Sequence, residues 1–292
     1  MKRIACIGTC HLEQDIFTDA SAEKGERILS KIVTGYGGTM RNTAQNLALI
    51  GFPVTYATKL GNDMDSVNIW NDCNALGIDV LGPTVDLPTP KKTVWMPKDG
   101  KTTVFWDKPE DFLFRAGDDI PHPAINQCDI AVTDVRDNAA LLKMLEKSPH
   151  PRWIVSHYVP DKEILSHVWG LVINYEDALS LGKPADFERI CYRLCAFGPE
   201  WIVINMNFQG VYLYTKQTGT NFLTKCQGEG YINGCYSAFL SGLVASLAVT
   251  DDIEKAVLVG LTAQGLTYKC DALIHPRIGE LFKKKTKSKG AV

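Results

Sequence analysis

The sequence contains no apolar run long enough to cross a membrane, no excess of either charge and no internal repeat. A transmembrane helix needs about 20 consecutive apolar residues, so we expect no membrane partner. The formal net charge of -2 gives no general attraction for nucleic acid. The one basic cluster, KKKTKSK, lies near the C-terminus, and we interpret residues 283–292 as a basic, solubilising tail.

A disulfide framework is not expected, although the chain contains 9 cysteines. Such frameworks are typical of small secreted proteins, whereas this chain has 292 residues and its start, MKRIACIG, is typical of a first strand. We therefore predict a cytoplasmic protein with reduced thiols. Cys191 and Cys195 lie one helical turn apart among apolar residues, and we interpret them as buried thiols rather than metal ligands.

Short apolar runs alternate with helical patterns along most of the chain. This alternation is typical of strands joined by crossover helices in a largely parallel sheet. The predicted strands span residues 3–8, 54–61, 128–134, 152–157, 170–174 and 200–206. The predicted helices span 41–51, 65–77, 138–148, 185–198, 236–248 and 252–270. The sequence therefore predicts an α/β fold.

Two segments depart from this pattern. Residues 16–38 and 91–108 carry β-branched and aromatic residues in rough alternation, and the second contains a predicted turn at Lys98 to Lys101. Together they predict a small sheet outside the main one. Such a sheet is either a lid over a ligand cleft or an extension of the fold at its edge.

The segment GYGGTMRN at residues 35–42 is a first candidate binding element. Consecutive glycines before a helix allow the backbone to approach a ligand closely and leave amide groups free at the helix start. Asn42 adds both a donor and acceptors, which a polyhydroxyl ligand requires. A tight turn alone would also account for Gly37 and Gly38.

Taken together, the GGTMRN segment, the following NLALIG, the phrase LGNDMDSVNIWNDCNALGID and a late glycine turn before a long apolar helix resemble the ribokinase-like (PfkB) family of carbohydrate and nucleoside kinases. Within that family, RNTAQNLALIG most resembles the pseudouridine kinase branch. The resemblance implies a three-layer sandwich with a mostly parallel central sheet and a small β lid. It places the core in residues 1–15, 36–90 and 109–282 and the lid in residues 16–35 and 91–108.

The resemblance also implies a substrate side of the site. The family has a sugar-binding acid five residues after the glycine of the first strand, and Glu13 holds that position, with Asp15 two residues further on. Either carboxylate can accept hydrogen bonds from sugar hydroxyls. Gly37, Gly38 and Asn42 are the other substrate-binding residues that the resemblance implies.

The nucleotide side departs more from the family pattern. The N-x-x-E element is matched by Asn174 and Asp177, with the shorter acid as the implied Mg²⁺ ligand. The T-x-G-x-x-G element is matched by NMNFQG, which has Asn205 in place of threonine and retains Gly210. Gly234, in GEGYINGCYSAFLSGL, is the retained glycine of the phosphate site.

Ser237 stands where the family has its catalytic aspartate, and Tyr236 stands where it has a second glycine. A serine hydroxyl has too high a pKa to act as a base at neutral pH without activation. His11 and His157 lie where ligands bind in such folds, but we interpret both as structural. Two functions remain open.

The first function is ATP- and Mg²⁺-dependent phosphorylation of a sugar or nucleoside hydroxyl, with pseudouridine as the specific candidate and with weak activity. The alternative is an inactive pseudokinase that binds a sugar or nucleoside as a sensor or partner protein. By analogy of fold, the lid edges also favour a homodimer.

Overall fold

The computed structural model describes residues 1–98, 102–107, 110–219, 233–270 and 272–282. The strands of the described chain are β1 Ile4–Ile7, β2 His11–Thr18, β3 Ser30–Gly37, β4 Val54–Ala57, β5 Asp79–Leu81, β6 Lys91–Pro97, β7 Thr103–Asp107, β8 Ile130–Thr133, β9 Arg152–Ser156, β10 Gly170–Asn174, β11 Trp201–Asn205 and β12 Val211–Thr215. The helices are α1 Thr39–Ile50, α2 Met64–Ala75, α3 His122–Ile125, α4 Asn138–Lys147, α5 Lys162–Leu165, α6 Tyr175–Leu181, α7 Phe187–Cys195, α8 Cys235–Thr250 and α9 Ile253–Thr267.

Eight strands form the central sheet in the order β12-β11-β10-β9-β8-β1-β4-β5. Neighbouring strands are parallel, except that β12 runs antiparallel to β11. All four residues of β1 are buried, because helices cover both faces of the sheet. Ile4 and Cys6 pack in a cluster with α1, α8 and α9, whereas Ala5 and Ile7 pack in a second cluster with α4 and α7. The predicted mostly parallel α/β sandwich is confirmed.

A second sheet has the strand order β3-β2-β6-β7. In it, β2 pairs antiparallel with β3 and parallel with β6, and β6 pairs antiparallel with β7. We call these four strands the lid sheet. Asp99 to Lys101 of the predicted turn, and the predicted tail at 283–292, lie outside the described residues.

The lid sheet begins earlier than the sequence predicts. The predicted boundary at residue 16 falls inside β2, which starts at His11 and pairs with β3 from that residue onward. Glu13 and Asp15 therefore lie on a lid strand rather than in the predicted core segment 1–15. Pairing of β2 on both of its edges extends the strand over these polar residues.

Helix α8 runs through the core and is buried at nearly every position from Cys235 to Ala248. A helix that is apolar around its whole circumference belongs in a protein interior or a membrane, and here it packs between α1, α9 and the sheet. Over the described part of the chain, none of the helices has the length and apolar character needed to span a bilayer.

Close approach of two backbones fixes how α8 packs on α9. A Cβ atom placed on Gly242 would lie 2.8 Å from the carbonyl oxygen of Val259 and 3.0 Å from the Cα of Gly260. Real Cβ atoms do not approach backbone atoms so closely. Any side chain at Gly242 would therefore separate the two helices.

We predict that Gly242→Ala lowers the free energy of unfolding. Alanine gains about 1 kcal/mol in helix propensity, but overpacking of a core typically costs about 1–3 kcal/mol, so we expect a net loss of about 1 kcal/mol. Urea denaturation followed by circular dichroism measures it. The control, Val249→Ala, lies on the same helix at an exposed position and should change stability by less than about 0.5 kcal/mol. A stabilised Gly242→Ala variant would contradict the close contact.

Candidate active site

A cavity of about 640 Å³ lies where the carboxyl ends of β1, β8 and β9 meet the lid sheet and the start of α8. Loops that follow the strands of an open parallel sheet converge at this edge, and ligands bind there. Five of the residues that the sequence nominates line this cavity, namely Glu13, Gly38, Asn42, Gly234 and Ser237. The other six, Asp15, Gly37, Asn174, Asp177, Asn205 and Gly210, lie outside its lining.

Glu13 is the acid of the lid wall and is 2% exposed. His11 Nε2 lies 3.1 Å from its Oε2, and Lys92 Nζ donates to its Oε1 at 3.0 Å. Asn233 Nδ2 also donates to Oε1. Burial alone would raise the pKa of Glu13, but the hydrogen bond from His11 and the charge of Lys92 outweigh burial and lower the pKa to about 2. Glu13 is therefore a carboxylate at any physiological pH.

Close packing requires both Gly37, at the end of β3, and Gly38, just before α1. A Cβ on Gly37 would overlap the carboxylate of Glu13, and a Cβ on Gly38 would overlap the carbonyl of Thr9. Gly38 also has a φ of 119°, a backbone conformation that glycine adopts without strain. This turn brings Asn42, in the first turn of α1, to the cavity wall.

Asp15 does not reach the cavity lining but lies next to it. It is two residues from Glu13 on the same strand, and the two side chains share one face of β2 because strand side chains alternate. Its Oδ1 accepts a hydrogen bond from Asn233 Nδ2 at 3.0 Å. One amide nitrogen thus bridges both acids that the sequence offers as alternatives.

The start of α8 forms the opposite wall. Gly234 precedes the helix with a φ of 82°, and no described side chain caps this end. Ser237 lines the cavity and is buried. Among the described residues, neither an acid nor a histidine lies within hydrogen-bond distance of its hydroxyl, so nothing there activates it as a base.

Tyr236 turns its side chain toward the sheet edge beneath α8. Its hydroxyl donates to the carbonyl of Val172 at 2.8 Å and lies 3.1 Å from Ser156 Oγ. Its ring stacks on that of His157, with 4.1 Å between centroids. Burial raises the pKa of Tyr236, so the hydroxyl stays protonated and keeps its place as a donor.

His157 connects the sheet edge with α1 and α6. Asn174 Oδ1 caps α6 by accepting from the amide of Asp177 at 2.7 Å, so its Nδ2 is the group that lies 3.2 Å from His157 Nδ1. Nδ1 then accepts, and Nε2 carries the proton and donates to Thr39 Oγ1 at 3.2 Å. His157 has a φ of 70°, a strained backbone angle for a residue with a side chain.

Three of the residues predicted for metal and nucleotide lie side by side outside the cavity lining, since Asn174 and Asn205 are paired at the ends of β10 and β11 and Asn174 caps the amide of Asp177. Asp177 lies 3.5 Å from Arg136 Nη2; burial raises its pKa, although Arg136 opposes that effect. Asn205 is buried, donates from Nδ2 to Gln264 Oε1 at 2.8 Å and accepts from the amide of Asn207. Within the described ranges, no group of three potential ligands is arranged to hold a metal ion.

The cavity residues that were not singled out from the sequence include Lys92, Trp106, Asp134 and Asn233. Asp134 follows β8 directly, and its carboxylate packs against Gly8. A polar residue at the carboxyl end of a predicted parallel strand is a signal for such a site. Asn233 carries no such signal, because its partners lie 218 and 220 residues away in the chain.

Comparison with known proteins places nearly the whole sequence in a family. The model of the pfkB family of carbohydrate kinases matches residues 1–276. A guanosine-inosine kinase from Exiguobacterium acetylicum is 22% identical over 285 residues, which cover 89% of this chain and 92% of that protein.

Solved structures share the fold. Ribokinase from Thermotoga maritima superimposes with a TM-score of 0.79 at 17% identity, covering 97% of this chain and 100% of that one. Ribokinase from Arabidopsis thaliana, solved with ribose and ATP, gives a TM-score of 0.75 at 13% identity and covers 97% of this chain and 99% of its own. Since the family model spans nearly the whole sequence, the chain belongs to the pfkB family of carbohydrate kinases.

Proposed function

We propose that the chain transfers a phosphoryl group from ATP to a hydroxyl of a nucleoside, at a low rate. The observation that carries this proposal is one cavity that joins two walls. The lid wall contains Glu13, Asn42 of α1 lines the same cavity, and these polar groups suit hydroxyl groups. The opposite wall is the first turn of α8, and a helix N-terminus suits a phosphoryl group.

A nucleoside is favoured over a simple sugar by the apolar part of the cavity. Trp106, Leu113, Phe114 and Val135 line it beside the polar wall. A planar base stacks well on an indole ring, whereas a free sugar has no such group. The guanosine-inosine kinase relative is named for nucleoside substrates, and pseudouridine is the candidate that the Arg41 and Asn42 segment adds.

ATP and Mg²⁺, when bound, would supply the phosphoryl group and neutralise its charge. The first turn of α8 fits phosphate, and Arg136 adds an exposed guanidinium to the cavity. Asp177 fits a metal less well, since it is paired with Arg136 and does not line the cavity. We therefore assign no step to the metal.

The low rate follows from Ser237. General bases contribute about 10²–10⁴-fold to rate, and no activated base is found at this position. Phosphoryl transfer depends mostly on positioning and electrostatics, so some activity should remain without a base.

An inactive, ligand-binding protein is the second candidate. It is favoured by Tyr236, whose ring occupies the space beneath the first turn of α8, and by Asn205, whose amide is bound to Gln264 rather than turned to the cavity.

Thermal shift with pseudouridine, inosine, guanosine and ribose, each with and without ATP and Mg²⁺, distinguishes the kinase from the inactive binding protein. Stabilisation by a nucleoside but not by ATP supports this second candidate.

We predict that Trp106→Ala weakens nucleoside binding and leaves ribose binding unchanged. Stacking of a base on an aromatic ring contributes about 1–3 kcal/mol, so the dissociation constant for inosine, guanosine or pseudouridine should rise at least about fivefold. Isothermal titration calorimetry measures it. Tyr192→Ala, an exposed aromatic of α7 outside the cavity, is the control. Equal weakening of ribose and nucleoside would contradict base stacking on Trp106.

We predict that Ser237→Asp raises the turnover number for the best-binding nucleoside by at least about tenfold, because it supplies the missing base. Release of ADP in a coupled assay measures it. Ser237→Asn has nearly the same size and shape but no basicity, and should stay at or below the wild-type rate. If the two variants turn over equally, the missing base does not limit the reaction.

We also propose a homodimer through the lid sheet. All five residues of its edge strand β7 are exposed, and Phe105 is 60% exposed. An open apolar edge strand favours pairing with another chain. Light scattering should give twice the mass of the chain, and Phe105→Glu should give the monomer mass. A monomeric wild type would contradict the proposal.

A further inference from the structure

The amide of Asn233 lies between the lid sheet and the helix that begins the phosphate site. Asn233 directly precedes Gly234, whose left-handed backbone starts α8. It lines the cavity together with Glu13 and Ser237. Any force that fixes Asn233 therefore also fixes the distance between the lid wall and the first turn of α8.

Both hydrogens of the Asn233 amide group are used by carboxylates. Nδ2 donates to Glu13 Oε1 and, at 3.0 Å, to Asp15 Oδ1. Both acids are almost fully buried, at 2% and 3% exposure. Hydrogen bonds to charged acceptors are the stronger class, so this pair determines which end of the amide is turned to β2. The carbonyl oxygen Oδ1 is necessarily the opposite end.

Glu13 has little capacity left for a substrate. Its oxygens already receive Lys92, Asn233 and the contact with His11, which occupy three of about four acceptor sites of a carboxylate. Asp15 is outside the cavity lining. The acids of the lid wall thus bind groups of the protein rather than substrate. The group that they orient toward a substrate is the acceptor Asn233 Oδ1.

We propose that Asn233 is a substrate-recognition residue, in which Glu13 and Asp15 hold the amide nitrogen so that Oδ1 accepts a hydrogen bond from a ribose hydroxyl. This inference rests on the proposed function, because it assigns a residue to the recognition of the nucleoside. Glu13 and Asp15 are then positioning residues, which act through Asn233.

The test compares each nucleoside with its deoxy analogues. Inosine, guanosine and pseudouridine, and their 2′-deoxy and 3′-deoxy forms, are titrated calorimetrically into wild type and Asn233→Ala. Loss of one hydrogen bond changes affinity by about tenfold, so wild type should bind one deoxy form about tenfold more weakly than the nucleoside. Asn233→Ala should bind both equally, at the affinity of wild type for the deoxy form.

Exchanging the amide and the carboxylate between positions 233 and 15 tests whether the acids position Asn233. Asn233→Asp places a third carboxylate beside Glu13 and Asp15 and should abolish the preference for the ribonucleoside. Adding Asp15→Asn restores one amide among the acids and should recover at least half of the preference. A double variant no better than Asn233→Asp overturns the role of Asp15. Asn233→Ser serves if Asn233→Ala does not fold, as judged by circular dichroism.

The outcomes separate this inference from the proposed function. If wild type binds a nucleoside and Asn233→Ala keeps the full preference over the deoxy forms, the role of Asn233 is wrong and the proposed function stands. If wild type binds none of the three nucleosides, the proposed function is wrong and this inference falls with it.

Discussion

Burial of the central sheet on both faces is the constraint from which the site follows. Strands such as β1, with four buried residues in a row, are mostly apolar along their length. Polar groups therefore concentrate at the strand ends and just after them, as at Thr9, Asp134 and His157. Because parallel strands all end at one edge, the topology of the sheet alone brings these groups to one cavity.

The lid sheet adds charge to that edge, and this charge is balanced within the protein. Buried carboxylates are tolerated only when paired and hydrogen-bonded, and Glu13 meets this condition through Lys92, His11 and Asn233. The same contacts connect β2 and β6 to Asn233, which lies two residues before the start of α8. The lid wall of the cavity and the start of α8 are therefore connected through one polar cluster.

The fold was readable from the sequence because its strands are apolar runs and its long helices have helical spacing. The misses have physical causes. β5 has only three residues, and β12 is an antiparallel edge strand beside a short turn, so neither shows the strand–helix alternation. The start of β2 does not show a strand pattern because its inward residues, Glu13 and Asp15, are acids whose partners lie on β6 and in the segment just before α8. Contacts such as that of Asn233 with β2 depend on tertiary structure, and no local pattern encodes them.

At the start of α8, the fold depends on Tyr236 but not on Ser237. Ser237 is the third residue of the helix, a position where an acid is favoured by about 0.3–1 kcal/mol through the helix dipole. The backbone would therefore accept an aspartate there, and the cavity lies open to it. The stability of the helix therefore does not require a serine at position 237. Tyr236 differs, since its hydroxyl and ring are built into the ends of β9 and β10. Replacing Ser237 restores a base by a single change, whereas restoring glycine at Tyr236 would remove a packed side chain and two hydrogen-bond contacts. Of the two departures that the family resemblance implies, the one at Ser237 is therefore chemically reversible under the proposed function, and the one at Tyr236 is structurally fixed.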